Sequence, residues 1–112
     1  MKTMKIPSKI RIGGQDINIY IKDHLVNEKL GTICLASGEL NIAEKFHEYN
    51  QSESSQVNTF IHEVVHGVLD TMGEDKLAYN EKFVTTFASL LVDVIEEIVK
   101  VNKEECTNDK SE

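Results

Sequence analysis

The sequence predicts an α+β domain, a small twisted sheet of about four strands packed on two helices. Three observations carry that reading. The first half of the chain alternates apolar with polar residues in short runs that break at glycines, the signature of strands and hairpins. Between Thr59 and Val68 the period becomes helical, and the run contains His62-Glu63-Val64-Val65-His66, an H-E-x-x-H motif. From about Glu81 to Lys103, apolar residues recur along one helical face.

Ile10 to Ile21 places isoleucines at alternate positions on both sides of Gly13-Gly14, which predicts a half-buried β-hairpin. Asp23 to Lys29 is polar and reads as a loop, with His24 at the surface. Gly31 to Ser37 and Glu39 to Ala43 are two short β-type runs hinged at Ser37-Gly38, a second hairpin in an antiparallel or mixed sheet. Phe46 to Ser55 is polar and reads either as an exposed loop or as a lead-in to the next helix. Ser52 or Ser54 caps the motif helix and Gly73 ends it, with Ile61, Val65, Val68 and Met72 as its buried stripe. Glu74 to Tyr79 forms a connector, and Asn80 is a good N-cap for the second helix. On that helix Phe83, Val84, Phe87, Ala88, Leu91, Val94, Ile95, Ile98 and Val99 share an arc of about 160°. Residues 104–112 are charged and aperiodic, which predicts a disordered tail behind a single domain at 1–103.

A chain of 112 residues holds one modest core. Its formal net charge of −7 argues against a nucleic-acid groove or an anionic membrane as partner. No apolar run approaches the ~20 residues of a membrane span, and the cationic start has no apolar segment behind it. Cys34 and Cys106 form no C-x-x-C and read as free thiols, which points to the cytoplasm.

The chemistry lies in the motif. Residues four apart on a helix stand one above the other, so His62 and His66 can share one ion, and neutral imidazole suits Zn²⁺. Glu63 is offset by about 100°, where it can act as general base on a metal-activated water. The plainer alternative is an amphipathic helix with two histidines at its core margin. A third ligand is needed for a catalytic zinc. Asp70 is about 12 Å from His62 along the helix, too far to share an ion. Glu74 and Asp75 on the connector remain open, and Glu81, on the first turn of the second helix, is better placed. Tyr79, Tyr49 and His47 are candidate transition-state donors. A substrate peptide could add as a strand along Glu39 to Ala43. The residues therefore suggest a zinc metallopeptidase; the alternative is a zinc-binding regulatory or interaction module without hydrolytic activity.

His62-Glu-Val-Val-His66, followed by Asn80-Glu-Lys-Phe-Val-Thr-Thr-Phe-Ala-Ser-Leu-Leu91, resembles the small zincin metallopeptidases of the ImmA/IrrE type and their phage-encoded relatives. The resemblance covers about Ser55 to Val92. It implies a minimal zincin-like fold and a gluzincin-type His-His-Glu site, with His62, His66 and Glu81 as zinc ligands and Glu63 as catalytic base. It also implies a specific protein substrate, such as a repressor or regulator. The chain departs from the pattern at Thr85, where thermolysin-like sequences carry an acidic residue, and in having no DNA-binding module.

Overall fold

In the computed structural model, residues 4–110 are described, with side chains through Lys103. The order is β1 (Lys9–Ile12), β2 (Gln15–Lys22), β3 (Gly31–Cys34), β4 (Glu39–Ala43), β5 (Lys45–Phe46), β6 (Tyr49–Asn50), α1 (Glu53–Met72), α2 (Asp75–Ala78) and α3 (Glu81–Lys110). The fold is α+β, as the sequence predicts. A four-stranded mixed sheet in the order β1-β2-β4-β3 packs on the helices, and β5 and β6 form a separate small ribbon.

Both predicted hairpins form. β1 pairs antiparallel with β2, and β3 pairs antiparallel with β4. Gly13 and Gly14 both have positive φ, 58° and 84°, the two-residue turn whose twist matches a hairpin and which side chains disfavour. What joins the hairpins is a parallel pairing of β2 with β4, in which Ile19 faces Leu40 and Ile21 faces Ile42. β4 is therefore central, and β3 is left at the edge.

Strand alternation sends one set of side chains inward. Ile17, Ile19, Leu40 and Ile42 meet Val57, Phe60, Ile61, Val65 and Leu69 of α1, and Val84, Ala88 and Val92 of α3 close the core. Ile17, Leu40, Ile42, Val84 and Val92 are fully buried, each worth about 2 kcal/mol of apolar transfer. The motif helix lies between the sheet and α3, buried on two sides. Its core arc is accordingly shifted from the predicted stripe: Leu69 is inside, whereas Val68 and Met72 are exposed in a groove against Ile10 and Ile12 of β1.

Helix ends follow the local chemistry. Ser52 Oγ accepts from the Ser55 N–H at 3.1 Å, and Gly73 closes α1 in the left-handed conformation. Asn80 Oδ1 accepts from the Phe83 N–H at 3.1 Å, which fixes Glu81 as the first residue of α3.

Two further expectations need correction. The polar stretch after Phe46 is not wholly a loop, because β5 and β6 pair there. That ribbon is tied down by His24, whose Nδ1 meets Asp23 at 2.9 Å and whose Nε2 meets the His47 carbonyl at 2.7 Å. The predicted α3 arc is not wholly covered: three of its nine residues, Phe87, Val94 and Ile98, are exposed. Those three follow one another at steps of seven and four residues on one side of α3, turned away from the buried Val84, Ala88 and Val92. The backbone of 104–110 continues α3. Residues 111–112 of the predicted tail lie outside the described residues.

Candidate metal centre

α1 carries the two histidines one turn apart, and the capped start of α3 brings Glu81 to them. His62 Nε2 lies 3.2 Å from His66 Nε2. Glu81 reaches both, with Oε1 at 3.2 Å from His62 Nε2 and Oε2 at 3.2 Å from His66 Nε2. Tetrahedral zinc with donors at about 2.1 Å holds them about 3.4 Å apart, and one donor atom from each of the three residues lies within 4.8 Å of the others, so small side-chain shifts bring them to it. Among the described residues these three are the group of histidine, cysteine and acidic side chains that could hold an ion. Glu74, which precedes α2, and Asp75, which opens it, do not join that group; Asp70 lines the same cleft without joining it.

Electrostatics favour the ligand form of His62. Burial, and then the neighbouring His66, hold the His62 imidazole below its usual 6.5, against the pull of Glu81. A neutral ring is the form that binds metal.

Glu63 is the buried charged residue of the core, 9% exposed. Burial pushes its carboxyl up to about 7, with His66 opposing, Glu81 adding to the rise and Lys29 opposing. A carboxyl titrating near neutrality can both accept and return a proton, which is what a general base in a hydrolase must do.

The strand beside it explains that burial. A methyl group at Gly31 of β3 would stand 2.5 Å from Thr59 Cγ2 and 3.0 Å from Glu63 Cγ, so only glycine lets the strand lie so close to α1. The cleft between them has a volume of about 670 Å³, within the range of ligand sites. Lys29 to Ile33 form one wall, α1 the floor, and Ala78, Tyr79 and Glu81 the opposite wall. Gly31→Ala is expected to cost about 1–3 kcal/mol of stability. Zinc uptake should be less affected than stability, because the residues that could hold a metal sit on the helices. Melting curves and zinc stoichiometry on the variant check this, and wild-type stability would refute the close-packing argument.

Tyr79 lines the cleft, whereas His47 and Tyr49 lie on the β5–β6 ribbon and are absent from its walls. The strand expected to receive a peptide also changes. β4 is hydrogen-bonded on both sides, so Glu39 to Ala43 offers no free edge; β3 does, directly beside the histidines. Gly31 and Lys29 escaped the sequence reading because their roles depend on contacts with α1, far along the chain. Comparisons with protein-family models, curated proteins and solved structures find no significant match. Among the described residues, no helix is long and apolar enough to cross a membrane.

Proposed function

We propose that this chain is a zinc-dependent peptidase that cleaves a protein or peptide held in extended form along β3. The observation that carries the reading is the His62, His66 and Glu81 group, one donor atom from each within 4.8 Å of the others, flanked by the buried Glu63 in an open cleft. Zinc bound there would supply Lewis acidity, acidifying water and polarising a carbonyl. Glu63 takes the proton from the attacking water and returns it to the leaving amine. Its depth beneath Gly31 shields the carboxylate from bulk solvent. The free edge of β3 offers backbone groups that hold a peptide in register across the cleft. In this reading Tyr79, on the wall opposite, is the donor to the developing oxyanion. The same reading takes a regulator protein in the cytoplasm as substrate.

Metal analysis by mass spectrometry tests the centre on protein purified without chelator or nickel resin. About one zinc per chain is expected, falling in Glu81→Ala, with cleavage of a casein or peptide-pool substrate by the loaded protein. A chain that takes up no zinc on titration refutes the proposal.

A further inference from the structure

Two opposite charges stand at the two ends of the cleft. Lys29 and Asp70 both line it, both are exposed, and neither takes part in an ion pair among the described residues. Lys29 is not neutralised by its neighbour Glu28, whose carboxylate instead receives the His47 N–H at 3.1 Å. The relative direction of strand and helix fixes which end each charge marks. Gly31 lies against Thr59 and Glu63, and Ile33 lies against Gly67, so β3 and α1 advance together along the cleft. Lys29 precedes the level of Glu63 by two strand residues, and Asp70 follows it by two helical turns. At 3.3 Å per strand residue and 1.5 Å per helix residue, that separates the charges by roughly 17 Å, about five residues of extended peptide. The histidines and Glu81 fall between them.

We propose that Lys29 and Asp70 select the substrate by charge polarity: a peptide with basic side chains N-terminal and acidic side chains C-terminal to the cleaved bond. The inference rests on the peptidase reading of the same site. Its direction comes from β3, whose free edge pairs best with an antiparallel strand. An antiparallel peptide puts its N-terminal side at the end of β3 nearest Asp70 and its C-terminal side at Lys29. The reverse charge order would face like charges at both ends.

The test uses two synthetic pools of short peptides with randomised uncharged centres. One pool carries Lys and Arg before the centre and Asp and Glu after it; the other reverses them. Cleavage is followed with the zinc-loaded wild type, and binding with zinc-loaded Glu63→Gln by fluorescence anisotropy. The first pool is expected to be bound and cut about tenfold better at low salt, the combined effect of two exposed charge contacts against two repulsions. Lys29→Glu with Asp70→Lys is expected to invert the preference, its zinc content reporting that the fold is intact. Cleavage of both pools alike overturns the inference and leaves the peptidase reading standing. A preference that the double variant fails to invert overturns the assignment to these two residues. Binding with an invertible preference but without cleavage supports charge selection by Lys29 and Asp70 in a peptide-binding cleft and overturns the peptidase reading, and with it the reference to a cleaved bond. A wild type that neither binds nor cuts either pool overturns both.

Discussion

Glu63→Gln is expected to lower peptide hydrolysis by about 10²–10⁴-fold, the usual worth of a positioned general base, with no loss of zinc. Glutamine keeps the volume that fills the space beneath Gly31 and removes the proton acceptor. In the metal-free protein the same substitution should be stabilising. The native carboxyl titrates at about 7 against the usual 4.5, so the folded state holds its proton more tightly than the unfolded chain. The stability this contributes is fully present below about pH 4.5 and is lost as pH rises through 7. Glutamine is neutral throughout. Its advantage over glutamate therefore grows across that window and levels off above it, at no more than about 3 kcal/mol. In melting temperature that is on the order of 10 °C for a chain of this size. Melts in chelator at pH 5 and pH 8 check it: near coincidence at pH 5 and a clear gain at pH 8 is the expected pair. Equal melting at pH 8 would show that Glu63 is not held buried and charged. Hydrolysis at the wild-type rate would remove it from the chemistry. A partner-binding module without hydrolysis would instead keep its partner through this substitution.

What was legible in the sequence was local. Gly13-Gly14, Ser52, Gly73 and Asn80 specify their turn, caps and stop through their own backbone chemistry, and each acts where the chain alone suggests. The histidine spacing is likewise a property of one helix, and the candidate Glu81 follows from the cap that starts the next. What could not be read depends on distant packing. The alternation in Glu39 to Ala43 fits an edge strand or a central one equally well, and the parallel partnership with β2 decides it. The apolar arc of α3 reads the same whether or not a neighbour covers it; α1 packs on the side that carries Val84, Ala88 and Val92 and leaves the adjacent side, with Phe87, Val94 and Ile98, uncovered. Gly31 resembles any glycine opening a strand until Thr59 and Glu63 come against it. The ribbon at β5 and β6 is polar because it is exposed, which hides its pairing from a pattern based on burial.

The metal should also act as a clasp between helices, and this gives the second large effect. Two of its donors belong to α1 and the third to the first residue of α3, joined only through Gly73, the short α2 and Asn80. In the unfolded chain these three donors are not held at the 3.2 Å spacing, so binding favours the folded state. A ligand present at a thousand times its dissociation constant stabilises by about 4 kcal/mol, on the order of 15 °C here. Zinc titrated into chelator-treated protein is expected to raise the melting temperature progressively with free metal. His66→Ala should abolish the shift by removing a donor that contacts both other ligands. Glu81→Ala should shrink it, because the pair on α1 can still bind but no longer ties α3 down. Glu63→Gln should retain it in full. A melting temperature indifferent to zinc and chelator, with His62→Ala and His66→Ala no more disruptive than changes at neighbouring half-buried positions, would reduce the triangle to a hydrogen-bonded cluster at the core margin. Retention of the shift in Glu81→Ala but not in His66→Ala would confine the metal to α1, and the closing ligand would then have to come from elsewhere along the cleft.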